Sequence, residues 1–240
     1  YFKTYYAPNN AVVVVSGDVQ YDSVKKLAER YLEPIPAQPV PKPVHLVETP
    51  QQGERRIQVK KEVANPYLTI AYQVPPAKDS DYYALQLLKA VLATGNSSRL
   101  YKTLVDQKGL ASSVFVLYGE AFDPTLFYIS AVAKKGVSTE ALEKTIYDEL
   151  DKIKKDGVTE RELQKVKNGA LIQFYDQVET INGKSNNLGT YEVFFGDYHK
   201  MFDAPASYNQ ITSADLKRVA NQYLKRSNRT VGILKTNVDD

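Results

Sequence analysis

Residues 5–15 (YYAPNNAVVVV) and residues 223–233 (YLKRSNRTVGI) decide how the rest of the chain is read. An offset of 218 places Tyr5 on Tyr223, Asn10 on Asn228, Val13 on Val231 and Val15 on Ile233. Each copy runs from a helix end through a polar turn into an apolar segment. Pro8 stops the first helix, and Asn9 with Asn10 is turn chemistry. Residues 11–15 are apolar on both faces, which predicts a strand in the middle of a sheet. Val24, Leu27, Ala28 and Tyr31 then fall on one helical stripe. A unit recurring at both ends predicts that residues 1–33 are the terminal helix–strand–helix elements of one module. Residues 54–240 are then a second copy.

The segment between them supports this division. Residues 34–53 hold Pro34, Pro36, Pro39, Pro41, Pro43 and Pro50, half of the twelve prolines in the chain. Proline lacks an N–H and fixes φ, so this stretch is expected as a linker outside any ladder or helix. Extended, its twenty residues reach on the order of 60 Å. The second body alternates its patterns without a βαβ rhythm. Strands are expected at residues 56–62, 68–74, 113–118, 126–133 and 230–234. Helices are expected from Asp79 and Ser80 to Thr94, over 97–108, over 138–155, and after the capping boxes of Thr159 with Glu162 and Thr212 with Asp215. The helix begun at Thr159 turns Leu163, Val166, Ala170 and Phe174 inward and is expected to bend near Gly183 or Gly189. This order predicts an α+β fold, a mostly antiparallel sheet backed by helices.

Composition excludes several classes of function. With no cysteine, disulfides, thiol catalysis and cysteine metal sites are ruled out. Net charge is +3 from 31 basic and 28 acidic residues with the signs interspersed, so there is no nucleic-acid footprint. The 18 tyrosines do not alternate with basic residues, which argues against a single-strand binding surface. No stretch is apolar enough to span a bilayer as a helix. Size scaling lets a chain of 27.0 kDa bury roughly 70% of its unfolded surface, enough for a core without staples. No initiator Met or signal peptide opens the chain, so further sequence is expected before Tyr1.

The residues that carry chemistry are sparse. Catalytic zinc takes three protein ligands and an open position. The chain has two histidines, His45 and His199, and neither H-E-x-x-H nor H-x-x-E-H occurs. Ser97 and Ser98, and Ser112 and Ser113, lie outside any G-x-S-x-G; Ser97 reads as a helix cap. The turn from Gly95 to Arg99 stands at a helix start but lacks a phosphate-loop pattern, and reads as a tight helix–helix connection. The residues therefore predict a well-specified fold with no reaction of its own. It is a binding module or the non-chemical part of something larger.

Two segments resemble the pitrilysin/insulinase family of zinc metallopeptidases, which includes the mitochondrial processing peptidases. Residues 5–19 are similar to the end of that family's zinc-bearing half. Gly95-Asn96-Ser97-Ser98-Arg99-Leu100-Tyr101, with Leu104 and Lys108-Gly109-Leu110-Ala111-Ser112-Ser113-Val114, resembles the signature of its second half. The resemblance implies two similar α+β halves enclosing a chamber. Zinc is expected in the preceding half, held there by H-x-x-E-H and a later Glu, and no cofactor in this chain. Implied partners are a peptide or unfolded polypeptide substrate and a zinc-bearing half or homologous subunit. The implied role is the non-catalytic half of a metalloendopeptidase, closing the chamber and contacting substrate; a pseudo-peptidase scaffold or partner subunit is the alternative. The family's second half contributes an Arg and a Tyr to substrate carbonyls. Aligned on Gly109-Leu110-Ala111, those positions are Val105 and Ser112, the candidate substrate-binding residues. Both depart from the pattern: Val cannot donate, and Ser is much shorter than Tyr. Structural roles compete at each, Val105 packing in its helix and Ser112 turning its loop. The compartment is left open; absence of cysteine and many tyrosines fit an exported location such as the bacterial periplasm.

Overall fold

The computed structural model describes residues 1–42 and 49–235. In chain order the elements are α1 (Phe2–Tyr5), a 3₁₀ turn (Pro8–Asn10), α2 (Tyr21–Tyr31), β1 (Arg55–Lys60), β2 (Tyr67–Val74), α3 (Tyr82–Ala93), a π-helix (Tyr101–Gln107), β3 (Ala111–Leu117) and β4 (Thr125–Ala133). Next come α4 (Thr139–Asp156), α5 (Glu160–Glu179), α6 (Ile181–Thr190), a second π-helix (Tyr191–Phe195), α7 (Lys200–Gln210), α8 (Ser213–Tyr223), a second 3₁₀ turn (Arg226–Asn228) and β5 (Arg229–Lys235). The chain divides into two compact units. One comprises Tyr1–Val47 and Leu171–Pro205, the other Glu48–Ala170 and Ala206–Asp240.

The larger unit is a five-stranded sheet in the order β1-β5-β2-β4-β3. Only the β1/β5 pair is parallel; the three others are antiparallel, as expected for this α+β chain. Strand periodicity sorts the side chains into two faces. One row runs Arg56–Val231–Ile70–Ile129–Val116 and the next Gln58–Ile233–Leu68–Ala131–Val114. Their apolar members are buried, and α3, α4 and α8 pack against this side. The covering helices bury Leu85, Leu88 and Leu92 of α3, Leu142, Ile146, Leu150 and Ile153 of α4, and Leu216 and Val219 of α8. Each fully buried leucine or isoleucine contributes about 1.5–3 kcal/mol relative to exposure.

The opposite rows are Arg55–Thr230–Ala71–Tyr128–Leu117, then Ile57–Gly232–Thr69–Ser130–Phe115, then Val59–Leu234–Tyr67–Val132–Ser113. Here the large side chains Ile57, Val59, Phe115, Leu117, Tyr67 and Tyr128 are exposed. No helix covers this face in the described residues.

Helix starts follow the sequence. Ser138 accepts from the Ala141 N–H at 3.3 Å, and Thr212 and Asp215 form a reciprocal capping box on α8. At α3 the cap position is Asp81 rather than Ser80, and the Asp79 carboxylate accepts from the Asp81 N–H at 2.8 Å. Helix α7 goes beyond the sequence expectation, because Pro205 lies in its interior and argues locally against a helix. The long helix begun at Thr159 breaks at Thr180, before the glycines expected to bend it. There the Thr180 hydroxyl accepts from the Gly183 N–H at 3.0 Å and starts α6 afresh. Ala170 and Phe174 are half-buried rather than core.

In the smaller unit residues 11–16 form no ladder, and Val12, Val13 and Val15 are exposed. The backbone at Ala11 is extended, but the strand expected over residues 11–15 has no neighbour among the described residues. A strand exists as such only through its partners' hydrogen bonds. The repeat nonetheless survives as geometry. The Asn10 amide donates to the Tyr5 carbonyl at 2.9 Å, and the Asn228 amide donates to the Tyr223 carbonyl at 2.7 Å. Both asparagines close a 3₁₀ turn. The start of the proline-rich segment is clasped by Asn9, whose side chain bonds the Gln38 carbonyl at 2.8 Å and N–H at 3.1 Å.

Gly183 and Gly189 lie on the same helix and predict opposite outcomes. A Cβ at Gly183 would run into the Gln177 carbonyl oxygen and meet the Thr180 hydroxyl at 2.8 Å, whereas one at Gly189 meets Val14 Cγ2 at an ordinary 3.6 Å. Gly183→Ala should destabilise by at least about 2 kcal/mol. Gly189→Ala should be neutral or stabilising by up to about 1 kcal/mol, through helix propensity. Denaturant unfolding monitored by circular dichroism reads both.

Candidate functional site

The segment from Gly95 to Ser113 carries the family-like residues, and its local structure follows from its glycines. Gly95 (φ +75°) ends α3 in the left-handed region, and Gly109 (φ +59°) does the same after the π-helix Tyr101–Gln107. Helical turns begin at Arg99, and the Ser97 hydroxyl accepts from Lys165 Nζ at 2.8 Å instead of capping them. Arg99 reaches across to α5. Its Nε and Nη2 donate to the two carboxylate oxygens of Glu162 at 2.7 and 2.8 Å. Glu162 is also the reciprocal partner in the Thr159 capping box, with the Thr159 N–H and hydroxyl both 2.9 Å away. One carboxylate thus holds two elements together. A cavity of about 1020 Å³ opens beside this pair, edged by Lys102, Gln107, Lys152 and Arg161.

The two candidate substrate residues lie at either side of Gly109. Val105 is half-buried within the π-helix. Ser112 is the extra residue of a bulge between Ala111 and Ser113, and its hydroxyl donates to the Val132 carbonyl at 3.3 Å. A bulge re-aims side chains at a strand end. Neither residue lines the cavity beside Arg99.

Metal ligation finds no footing in the residues present. His199 is exposed, stacked on Tyr198 with ring centroids 4.0 Å apart and bonded to the Asp197 carboxylate at 2.9 Å. His45 lies outside the described residues. Among the described residues no three His, Cys, Asp or Glu side chains come together as a cation site. The described donor set does not fit zinc.

The paired charges instead fasten helix to helix, strand edge to strand edge and helix to sheet. Buried Asp81 takes two bonds from Arg218, at 2.5 and 3.1 Å, and one from the Tyr223 hydroxyl at 2.7 Å. The Arg218 bonds hold its carboxyl below the usual range, against the opposing pull of burial. Arg56 of β1 grips Glu143 of α4 at 2.5 and 2.9 Å, and Tyr147 donates to the same carboxylate at 2.7 Å. Arg229 pairs with Glu54 and stacks on the Tyr147 ring at 3.9 Å. These pairs leave no local signal in the sequence, because their members are 87 to 175 residues apart.

The profile described as Peptidase M16 inactive domain matches residues 1–170. The chain belongs to that family. It is 33% identical over 235 residues to the zinc protease PqqE of Helicobacter pylori, covering 96% of this chain and 52% of that protein. It is 27% identical over 221 residues to the non-peptidase homolog YmxG of the same organism, covering 90% of this chain and 49% of that one. The crystal structure of a protease from Helicobacter pylori superposes with a TM-score of 0.91 at 32% identity, over 97% of this chain and 57% of that chain. The chain therefore spans about half the length of the curated relatives it matches. The expected α+β fold and the resemblance to pitrilysin-type zinc metallopeptidases both hold. This is an inactive domain of that family, and no described helix is long and apolar enough to cross a membrane.

The Arg99–Glu162 pair sets a pH dependence. The Arg99 hydrogen bonds, opposed by burial and helped by Thr159, lower the Glu162 carboxyl from 4.5 to about 2. A lowered folded-state pKa contributes stability above the unfolded value that is lost as pH falls through the folded one. Glu162→Gln should therefore cost stability at pH 7 and converge on the parent chain as pH falls from about 4.5 towards 2. Arg99→Met should cost about 1–2 kcal/mol at neutral pH. Unfolding midpoints across a pH series measure both.

Proposed function

We propose that this chain is the non-catalytic half of a zinc endopeptidase, closing the substrate chamber of a zinc-bearing half and contacting extended peptide substrate. One observation carries the reading. The Asn10-to-Tyr5 hydrogen bond repeats the Asn228-to-Tyr223 one, yet among the described residues only the second copy leads into a paired strand. Strand β5 has β1 on one side and β2 on the other, so residues 11–15 carry the same signature without a sheet. Residues 1–33 are then the terminal elements of a preceding half, residues 34–53 the linker and residues 54–240 the second domain. The uncovered sheet face of that domain is the surface turned to substrate, and zinc and the water-activating residues belong to the other half. An exported location such as the periplasm goes with this reading, since a chain without cysteine has no thiol to protect there.

A second reading is a pseudo-peptidase scaffold or partner subunit. It is favoured by Val105 and Ser112 standing where the family has Arg and Tyr, and by the likeness to a non-peptidase homolog.

The two readings separate in one assay. The parent protein, carrying a preceding half with H-x-x-E-H, should hydrolyse an unfolded polypeptide, lose that activity to a chelator and regain it with zinc. The present chain alone should show none. Absence of zinc-restored hydrolysis in the parent selects the scaffold. Within an active parent, Val105→Arg with Ser112→Tyr should lower KM several-fold if these positions touch substrate; unchanged kinetics would assign both residues to structure alone.

A further inference from the structure

The uncovered face of the sheet has a relief of its own. Across its first row, Arg55 on β1 and Tyr128 on β4 flank Thr230 and Ala71. Across its second, Ile57 and Phe115 flank Gly232, Thr69 and Ser130. Over these two rows large side chains stand on the outer strands and small ones on β5 and β2, while in the third row Leu234 on β5 and Tyr67 on β2 fill the middle. The first two rows form a short trough over β5 and β2, closed at its far end by Leu234 and Tyr67.

At the Arg55 end the trough deepens into a cavity of about 400 Å³. Its floor is fully occupied by internal bonds. The Gln51 amide donates to the Gly53 and Arg229 carbonyls, and the Thr230 hydroxyl donates to the Gln51 side-chain carbonyl oxygen at 3.3 Å. The Asn228 amide donates to the Gln73 and Tyr223 carbonyls. These bonds fix the walls and leave the Arg55, Thr125 and Tyr128 side chains over. Among the described residues the Arg55 guanidinium and the Tyr128 hydroxyl have no hydrogen-bond or ion-pair partner, and no carboxylate lines the cavity. Glu54, next in sequence, is held on Arg56 and Arg229 and does not neutralise Arg55. Pro124 and Thr125, at the turn before β4, bound this end.

The geometry points to a binding site for the C-terminal carboxylate of an extended peptide lying in the trough, with the Arg55 guanidinium and the Tyr128 hydroxyl as its donors. The cavity's described lining carries one positive charge and no negative one, which suits one monoanion. Guanidinium–carboxylate recognition is charge-assisted and directional. Thr230, Ala71, Gly232 and Thr69 leave room for a short chain end behind that carboxylate, and the turn at Pro124 favours a chain end there over a chain passing through. The inference rests on the peptide-contact reading above and names a subsite for it, separate from Val105 and Ser112.

The test is titration of the whole chain, at low salt, with a short acetylated peptide lacking charged side chains. Its C-terminal amide, and that amide carrying one internal glutamate, are titrated alongside. The free acid should bind about tenfold more tightly than the amide, the scale of one charge-assisted contact. Added salt should narrow the difference. Arg55→Gln should bring the acid down to the amide and leave the amide unchanged, and Tyr128→Phe should weaken the acid alone. Both side chains are exposed, so both variants should unfold at the parent's midpoint. Equal binding of acid and amide, an internal glutamate that matches the acid, an unaffected Arg55→Gln, or no binding of the acid at millimolar concentration would each overturn the site. Equal binding of acid and amide would leave peptide contact itself standing. Failure of zinc-restored hydrolysis in the parent would instead remove the peptidase reading without touching the carboxylate preference.

Discussion

Burial of one face of the sheet beneath α3, α4 and α8 is the constraint on which the other features depend. Strand side chains alternate, so a row committed to the core commits its neighbours to the outside. Ile70 of β2 lies between Val231 and Ile129 under the helices, and Ala71 is thereby turned to the other face between Thr230 and Tyr128. Arg56 and Arg55 obey the same rule at the edge. The first reaches Glu143 on a covering helix, and the second is left on the uncovered side. A slip of one residue in β2 would turn Thr69 and Ala71 to the core and carry Leu68 and Ile70 out.

The helical layer is held in place by more than apolar contact. Asp81 with Arg218, Glu143 with Arg56, and Glu162 with Arg99 each join elements distant in sequence, and each carboxylate takes a second donor, from Tyr223, Tyr147 or Thr159. Half-buried charges are tolerable only when their lone pairs are satisfied in this way. The titratable groups that stand out are therefore spent on architecture. Among the described residues no three such groups gather as a cation site.

The two copies of the Tyr–Asn turn show how far a local signal reaches. Both fold into the same 3₁₀ turn with the same side-chain to backbone bond, since that bond spans only five residues. Their continuations differ. The segment after Asn228 finds two strands to pair with, and the segment after Asn10 finds none among the described residues. Local sequence sets the turn, while ladder formation waits on distant partners. The break at Thr180 belongs with this lesson. Gly183 attracts attention as a flexible residue, but its place is dictated by the close approach of the Gln177 carbonyl after the cap has formed.

The amino-acid sequence alone determined the five strands of the sheet and most helices, the boxes at Thr159 and Thr212 and the repeated Tyr–Asn turn, but not the absence of a ladder at residues 11–15. The features it determined rest on spacings within a few residues. It missed α7, since Pro205 speaks against a helix locally while packing of Met201 and Ala204 favours one. Tertiary structure alone decided the strand order, the register that aligns Arg55 with Tyr128 across β5 and β2, the pairing of Arg99 with Glu162, and the bulge that carries Ser112. Periodicity says which residues share a face, but not which strands stand side by side. That is settled only when the whole core closes over them.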